Sequence, residues 1–600
     1  MDKFFDWYVS TFDIEVQKGV RLAKSEISDP NSGYGLYVDQ TLSKCSKEDA
    51  DDSMVKSNEL IRIPNKVTFN IHSILSMFND KTNYPSIDAH LFFTEKIKNV
   101  LKSFYKCSSM SEMFSETIVI TLYFITFYFL QSDYDVPEIF TRYLEDVLLS
   151  TAVNNPIMRP ELYLQCYKQY PNILANEIII DLFTKFFESE LSLDSAASKD
   201  TIRQIYGAII SRVLDIPHEI SEKSDDFTTR TSLVPILDFV NHSSITPCCV
   251  FDVDRTTNDI TLKYPESIED PDDQTRKELF IQYSDVIEYT SFNFAYGFIP
   301  EVNKDTPCYF NLSIERDFIP KYYRNFYKWF GINPVVQFYK DNKTMTWLIN
   351  KTLKEFDELL LPFMINSCIE NEEIWSYNSN AYKSFANFSS KIDTESTVVD
   401  LNNIFRNEIK GREHSKNDVI GLAQLAWTIR FQDNNGKILK RRVNKQKALN
   451  IFRNLPVNDQ ENTRKAFALF FQTYITYRLN KLEDSINIGS HKEHIKYNES
   501  ECQSFIDLCN IEIDMLKQVT STDLTSLLNT TLTVQQELDE ALLPPLISFY
   551  KQEGDIPEDN EAEQHELINE CDASSLDDYN ELDYTDFVTQ EQEEFGQYFT

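Results

Sequence analysis

The sequence predicts an α+β protein in which β-forming segments lie on both sides of a helical stretch. Segments with the composition of strands lie at residues 34–38, 60–64 and 279–283. Residues 70–200 and 310–550 instead carry apolar residues at the spacing of a helix. We therefore expect two β-containing parts separated by helices, followed by an all-helical region.

The chain is long and acidic. Its 600 residues exceed what one hydrophobic core organises, so two or more domains are expected. The formal net charge is −37, and residues 552–600 hold 17 Asp or Glu but no Lys or Arg, so this tail is expected to be disordered. An acidic surface disfavours nucleic acid and favours basic protein partners, although acidity that only serves solubility explains the charge equally well.

Neither the cysteines nor the apolar runs predict a metal site, a disulfide framework or a membrane span. The 10 cysteines are scattered and form no C-x-x-C pair. The apolar run Thr117–Leu130 is too short to cross a bilayer and predicts a buried helix. The opening residues 1–7 are amphipathic and acidic, unlike a secretory signal. We expect a soluble intracellular protein.

The N-terminal region begins with a helical pattern and a glycine pair. Residues 1–30 predict one or two short helices, because residues 4–12 are apolar on one side. Gly33 and Gly35 lie close together in a chain with only 12 glycines, which indicates positive φ or close backbone approach. An ordinary hairpin turn is the alternative. The predicted strand 60–64 ends in Ile-Pro.

Two later segments are the most informative. A predicted amphipathic helix at 201–215 and a polar loop lead into the apolar run 232–240, which ends in Asn241-His242-Ser243. A β-like run at 279–283 follows, and then the aromatic cluster Phe294-Ala295-Tyr296-Gly297-Phe298. Taken alone, the Asn-His pair is most simply a polar cap on a buried element.

Together, P-I-L-D-F-V-N-H-S and A-Y-G-F resemble the two C-terminal signature segments of SET-domain protein-lysine methyltransferases. The similarity is greatest to the subgroup typified by the plastid Rubisco large-subunit methyltransferase. Gly33-Tyr34-Gly35 before a strand resembles the opening motif of the same family. The resemblance spans residues 1–310 discontinuously. It implies a SET fold split by a helical insert, S-adenosyl-L-methionine as cofactor and methylation of lysine in a non-histone protein.

The resemblance also implies roles for individual residues. Tyr296 is the expected catalytic residue, with its hydroxyl aimed at the transferring methyl group and the target nitrogen. Asn241 would hold the amino acid end of the cofactor, His242 would lend mainly its backbone to the adenine, and Phe298 would pack beside the cofactor. Methyl transfer to an amine needs orientation and a dry channel, but no nucleophilic side chain or metal.

Further cofactor contacts are expected from the glycine segment and from one arginine. Ser32, Gly33 and Tyr34 would lay their main chain against S-adenosyl-L-methionine. Arg212 would form a fork to the cofactor carboxylate, and a cap on the preceding helix is the alternative.

Two residues are expected in the pocket for the substrate lysine. Tyr309 falls near a second family tyrosine, whereas Phe251 stands near where the plastid enzyme has a pocket tyrosine. The missing hydroxyl leaves mono-, di- and trimethylation open. Tyr283 is expected to be structural.

The resemblance divides the chain into five parts. We expect the N-terminal half of the SET domain at 1–100, a helical insert at 101–200, the C-terminal half at 201–310, a helical substrate-binding domain at 311–551 and the disordered tail at 552–600. The basic cluster from Lys437 to Lys447 suits a nuclear-localisation or RNA-binding patch, but the acidic surroundings favour a solvated helix face.

Three functions are compatible with these features. The first is a monomeric, cytoplasmic methyltransferase for a basic protein such as a ribosomal protein, an elongation factor or cytochrome c; the basic cluster would also allow a nuclear location. The second is an inactive SET-fold scaffold that binds partners through its helical domain and tail. Intact Asn241, His242 and Tyr296 argue against the scaffold. An RNA-associated role is disfavoured by the acidity, and neither membrane nor nucleic acid is an expected partner.

Overall fold

The computed structural model describes most of the chain in separate segments. The described residues are 2–25, 33–38, 59–105, 115–191, 195–219, 227–245, 249–264, 277–319, 332–350, 354–366, 428–432, 438–442, 457–490 and 499–521, together with 323, 327, 449, 452 and 453. Ser32 and the acidic tail 552–600 lie outside these residues, so the expectations about them remain predictions.

The chain begins with one helix and four strands. These are α1 (Asp2–Thr11), β1 (Glu15–Val16), β2 (Val20–Lys24), β3 (Tyr34–Val38) and β4 (Glu59–Ile63). The helical prediction for residues 1–30 is confirmed for α1 and wrong for β1 and β2. Val20 and Leu22 are buried while Arg21 between them is exposed, and this alternation with a period of two fits a strand.

A helical region follows, as the apolar spacing predicts. Its helices are α2 (Ile71–Asn79), α3 (Ile87–Tyr105), α4 (Glu116–Leu130), α5 (Glu138–Tyr143), α6 (Pro160–Tyr167), α7 (Pro171–Leu191) and α8 (Ser195–Ile210). The predicted buried helix is α4, whose first turn is capped by the Ser115 hydroxyl. Within the described residues, no helix combines the length and the apolar character that crossing a bilayer requires.

The next part consists mainly of short strands. They are β5 (Leu214–Glu219), β6 (Phe227–Ser232), β7 (Asn241–His242), β8 (Val250–Val253), β9 (Ile260–Lys263), β10 (Lys277–Glu278), β11 (Phe280–Ile281) and β12 (Ile287–Glu288), followed by α9 (Tyr289–Tyr296) and β13 (Cys308–Ser313). The helix predicted over 201–215 therefore ends at Ile210, and β5 begins four residues later.

The C-terminal region mixes strands and helices. Its elements are β14 (Val335–Asp341), β15 (Thr346–Ile349), α10 (Lys354–Leu360), β16 (Thr428–Gln432), β17 (Ile438–Arg442), α11 (Val457–Ser490) and α12 (Glu499–Ser521). The all-helical prediction is confirmed for α10 to α12 and wrong for the four strands. The run 335–339 is rich in Val, Phe and Tyr, which favour strands. The part of the basic cluster that is described forms β17 rather than a helix face.

The strands pair in small sheets. In the described residues the orders are β1-β4-β9-β8, β10-β3-β2 and β12-β13-β14-β15, with the pairs β5-β6, β16-β17 and β11-β7. The α+β class is thus confirmed. Two sets of buried apolar side chains underlie this arrangement, one running from Phe4 to Ile281 and the other from Leu162 to Val519. The predicted domain boundaries stay predictions.

A cluster of buried charged side chains connects α11 to α12 and to α6. The Arg478 guanidinium donates to both carboxylate oxygens of Glu512, at 2.6 and 3.0 Å, and to Glu315 at 3.2 Å. It also donates to the main-chain carbonyl of Cys166 in α6. Lys481 completes the cluster by donating to Glu315 at 2.7 Å. Since Arg478 and Glu512 are fully buried, neither charge can be satisfied by water if the other is removed.

Replacing Arg478 by Met should therefore lower the free energy of unfolding by about 3–5 kcal/mol, measured by urea denaturation. Lys517→Met is the matched control, because Lys517 forms an ion pair with Glu483 between the same two helices but with both side chains about half exposed. This control should change the free energy by less than about 1 kcal/mol. Equal losses in the two variants would contradict a special role for the buried cluster.

Candidate active site

A strained turn at Ile236 precedes the Asn-His pair. After β6, Leu233 and Phe69 exchange two main-chain hydrogen bonds of 2.8 and 3.2 Å. Ile236 then adopts a left-handed conformation with φ of 75° and is fully buried. Such a conformation is rare for a β-branched residue and costs on the order of 1–3 kcal/mol. The surrounding packing must therefore hold the turn that leads to Asn241 and His242.

The segment that ends in Asn241-His242 meets the β-like run 279–283 in the parallel pair of strands β7 and β11. Asn241 lies opposite Phe280, and His242 lies opposite Ile281. On the other side of β11, the amide of Cys249 donates to the carbonyl of Phe280 at 2.7 Å. Residues 280–281 therefore lie between β7 on one side and Cys249 on the other. The Asn-His pair and the run 279–283 thus come together in space.

A buried carboxylate holds the Asn241 side chain. Nδ2 of Asn241 donates to Oε1 of Glu278 at 2.8 Å and to the carbonyl of Tyr34 at 3.4 Å. Glu278 also accepts from the hydroxyls of Ser25 and Tyr37, each at 2.8 Å. Both partners of Nδ2 are acceptors, which fixes the orientation of the amide. The amide oxygen is consequently the atom that Asn241 can offer to a ligand.

The glycine pair has one member whose role the structure explains. A Cβ placed on Gly35 would lie 2.1 Å from Oε1 of Glu278 and 3.1 Å from Nδ2 of Asn241. Close approach, and not positive φ, is therefore the reason for this glycine. Gly33 has no neighbour within 4 Å of such an atom, and it precedes Tyr34, whose carbonyl reaches Asn241.

The His242 ring is neutral and fully hydrogen bonded. The main-chain amide of Tyr283 donates to Nδ1 at 3.0 Å, so Nδ1 carries no proton. The ring hydrogen therefore sits on Nε2, which lies 3.0 Å from the Ser244 hydroxyl. Burial lowers the pKa of His242 to about 4. This ring supports the segment after β11 and has no free nitrogen with which to act as a base.

Aromatic rings from neighbouring elements surround His242. The ring centroids of Tyr283 and Phe292 each lie 5.1 Å from the imidazole, and that of Phe298 lies 6.2 Å away. Tyr296 packs on the same rings, 4.8 Å from Tyr283 and 4.7 Å from Phe292. We call these five side chains the ring layer. It connects Tyr296 and Phe298 to the Asn-His pair, so three of the predicted site residues share one cluster.

Tyr296 is the last residue of α9, and this helix is fixed at both ends. At its start, the buried Glu288 carboxylate accepts from two main-chain amides of the first turn. At its end, Gly297 has φ of 76°, and a Cβ there would lie 2.4 Å from the main-chain carbon of Asn154. Both φ and space therefore require glycine after Tyr296.

The Tyr296 phenol is protonated and available. Burial raises the pKa of Tyr296, and the nearby Asp215 carboxylate raises it further. The neighbouring Tyr283 hydroxyl is engaged, since it donates to the carbonyl of Val240 at 2.9 Å. Among the described residues, no hydrogen bond engages the Tyr296 hydroxyl. It is therefore the phenol of this pair that a ligand can use.

Arg212 lies beside the site, but the chain itself engages its guanidinium. The two terminal nitrogens donate to the Asp238 carbonyl at 2.5 Å and to the Thr151 hydroxyl at 2.8 Å. The cation also lies over the Phe239 ring, and the fully buried Asp238 accepts from the Tyr143 hydroxyl. The predicted fork to a cofactor carboxylate would have to replace these contacts. A cofactor-binding role for Arg212 stays a prediction.

The predicted lysine-pocket residues lie on different strands. Tyr309 in β13 is fully buried, and its ring lies 5.5 Å from that of Tyr339. Its hydroxyl has no hydrogen-bond partner among the residues that the structure describes. Burial raises the pKa of Tyr309, so the hydroxyl is protonated. Phe251 in β8 packs against the first core. Among the described rings, neither packs on Tyr296, and their pocket roles stay predictions.

Three side chains that support the site were missed from the sequence. Glu278 and Glu288 each stand as a buried acid next to apolar residues, which is the signal that could have identified them. The third is the fully buried Asn155, whose Nδ2 donates to the carbonyls of Gly207 at 3.1 Å and Ala295 at 3.3 Å. It thereby ties α8 to the last turn of α9.

The side chains present fit S-adenosyl-L-methionine. The Asn241 amide oxygen and the Tyr34 carbonyl can accept from an ammonium group, and the ring layer offers apolar surface to an aromatic base. An open cleft of about 450 Å³ adjoins Tyr34 and is lined by β2 and by Phe5 and Asp6 of α1. In the described part of the chain, no three His, Cys, Asp or Glu side chains are grouped to hold a metal ion.

Lowering the pH from about 6.5 to about 4 should destabilise the protein through His242. An unfolded histidine titrates near about 6.5, whereas the folded His242 titrates at about 4, so the unfolded state binds more protons in this window. The stability contributed is complete above pH about 6.5 and is lost as the pH falls toward 4. Denaturation by urea should show a steeper loss for the native chain than for His242→Asn. Parallel profiles would contradict the neutral buried ring.

Comparison with known proteins places the chain in a family. The model of the family described as cytochrome c lysine N-methyltransferase 1 matches residues 1–554. The protein of that name from Saccharomyces cerevisiae is 30% identical over 614 residues, covering 100% of both chains. The protein of that name from Candida glabrata is 29% identical over 492 residues, covering 78% of this chain and 85% of its own.

Solved structures were also compared. A crystal structure of the SET domain of LSMT bound to lysine and AdoHcy covers 94% of this chain and 98% of its own, with 14% identity and a TM-score of 0.43. The family match and the full-length relative, by contrast, are sufficient to assign the chain. The protein belongs to the cytochrome c lysine N-methyltransferase 1 family.

Proposed function

We propose that this chain is an S-adenosyl-L-methionine-dependent protein-lysine N-methyltransferase whose substrate is cytochrome c. Family membership supports the reaction, and the names of the relatives supply the substrate. The observation that carries the proposal is the ring layer, in which Tyr283 and Phe292 each contact both the Tyr296 ring and the His242 ring. A cofactor held at Asn241 and a lysine oriented by Tyr296 would then meet at one place.

The chain's own residues orient the reaction and contribute no nucleophile. When bound, the cofactor supplies a methyl group on a positively charged sulfur. The Tyr296 hydroxyl accepts a hydrogen bond from the target amine, which turns the lone pair of that amine toward the methyl group. Tyr283 and Phe292 hold the Tyr296 ring in place at 4.8 and 4.7 Å.

The target lysine must lose its proton before it reacts. An ammonium with a pKa of about 10.4 has no lone pair, and a low-dielectric environment favours the neutral amine. His242 does not take this proton, because both of its ring nitrogens are hydrogen bonded within the chain. We infer that the proton leaves to solvent before the amine enters the ring layer.

Charge supports a basic protein as the substrate. The chain carries a formal net charge of −37, and the substrate of the relatives is a basic protein. Opposite net charges accelerate encounter, and added salt weakens this effect. The cytoplasmic location, the monomeric state and the absence of membrane and nucleic-acid partners stay predictions from the sequence.

The purified chain should transfer methyl groups from S-adenosyl-L-methionine to a lysine of unmethylated cytochrome c, detected by mass spectrometry of the intact protein and its peptides. The number of added methyl groups would also settle the degree of methylation. A lysate of cells that lack this protein, incubated with labelled cofactor, serves as the comparison. Cofactor binding with label only on another protein would overturn the substrate. Absence of cofactor binding in calorimetry would instead favour the inactive scaffold.

Tyr296→Phe should lower kcat about 100-fold while the dissociation constant for the cofactor stays the same, because the hydroxyl acts on the reacting groups and not on cofactor binding. The matched control is Tyr289→Phe, at the first position of the same helix and outside the ring layer. This control should retain its turnover. Turnover of Tyr296→Phe equal to that of the native chain would remove Tyr296 from the catalytic role.

A further inference from the structure

The Glu278 carboxylate is the point at which three segments of the candidate cofactor site are hydrogen bonded together. It is only 8% exposed. Its donors include the hydroxyl of Ser25 just after β2, the hydroxyl of Tyr37 in β3 and the amide of Asn241 in β7. These residues are up to 253 positions apart from Glu278 in the sequence. No local pattern accounts for this convergence.

The geometry makes Glu278 a determinant of how Asn241 faces a ligand. A terminal amide can present either its nitrogen or its oxygen, and the two ends have opposite hydrogen-bonding character. With Nδ2 committed to Glu278 at 2.8 Å, the oxygen is left to face outward. Loss of the carboxylate would allow the amide to turn, and it would then present donors where an ammonium group needs acceptors.

Strand β3 packs closely against the same carboxylate. A Cβ on Gly35 would collide with Oε1 of Glu278 at 2.1 Å. The Tyr34 carbonyl, which precedes Gly35, is the second acceptor of the Asn241 amide, at 3.4 Å. The carboxylate thus sets the separation between β3 and β7 as well as the orientation of one side chain.

We propose that Glu278 is a positioning residue that orients Asn241 and the Tyr34 carbonyl to accept the ammonium group at the amino acid end of the cofactor. This inference rests on the proposed function, since it concerns the same cofactor site. Glu278 acts through Asn241 and does not touch the reacting atoms.

The test uses the full chain and the probe S-adenosylhomocysteine, with affinity measured by calorimetry, so that no turnover is needed. Glu278→Ala should weaken binding at least about tenfold, as expected for loss of a hydrogen bond to a charged group. Glu278→Gln keeps the shape and an acceptor oxygen, so it should restore most of the affinity. The control Glu59→Gln alters an acid that is equally buried, at 8% exposed, but accepts from Arg62 and not from Asn241, so it should leave this affinity unchanged.

A double-mutant cycle decides whether Glu278 acts through Asn241. If it does, Glu278→Ala should cost little further affinity in a chain that already carries Asn241→Ala. Additive losses would overturn the proposal, and so would an unchanged affinity of Glu278→Ala. If the native chain itself fails to bind S-adenosylhomocysteine, the proposed function fails, an outcome distinct from the failure of this inference.

A second probe locates the effect within the cofactor. The compound 5′-methylthioadenosine has the nucleoside and the sulfur but lacks the amino acid end. Glu278→Ala should lower the affinity for S-adenosylhomocysteine and spare the affinity for 5′-methylthioadenosine. A loss of equal size for both compounds would indicate general disruption of the site and would overturn the positioning role.

Discussion

The parallel pairing of β7 with β11 is the interaction on which the rest of the site depends. It comprises only two residue pairs, so flanking hydrogen bonds must support it. The amides of Ser243 and Cys249 donate to β11 at 3.2 and 2.7 Å, and Nδ1 of His242 accepts from the amide of Tyr283. That last bond requires an unprotonated nitrogen. The neutrality of His242 is therefore a condition of the fold and not only a property of the site.

The same pairing places the site where the two hydrophobic cores meet. Tyr283, just after β11, packs against both cores, and its ring centroid lies 4.8 Å from that of Tyr296. Phe292 belongs to the second core, whereas Ile281 belongs to the first. The orientation of Tyr296 consequently depends on the packing of both cores. A change in either core can alter the site without touching any residue that binds a ligand.

The sequence identifies candidate residues for this site more readily than the contacts that these residues make. The Asn-His pair and Tyr296 could be found because each belongs to a short contiguous motif, and the glycine after Tyr296 carries its own conformational signature. The partners of Arg212 and Glu278 could not be found, because they come from distant segments that only the folded chain brings together. The sequence predicts helices at 335–349, where the structure has strands, since short apolar runs carry weak periodicity.

The ring layer is uncharged, whereas the chain as a whole is strongly acidic. The groups of the ring layer are uncharged at neutral pH, since burial lowers the pKa of His242 and raises those of Tyr283 and Tyr296. The five side chains of the ring layer therefore present no charge to an amine that reacts beside them. The Glu278 carboxylate lies behind Asn241, where an ammonium group would benefit from it. In the proposed function, the net negative charge of the chain attracts a basic protein, whereas the uncharged ring layer receives its lysine as the free amine.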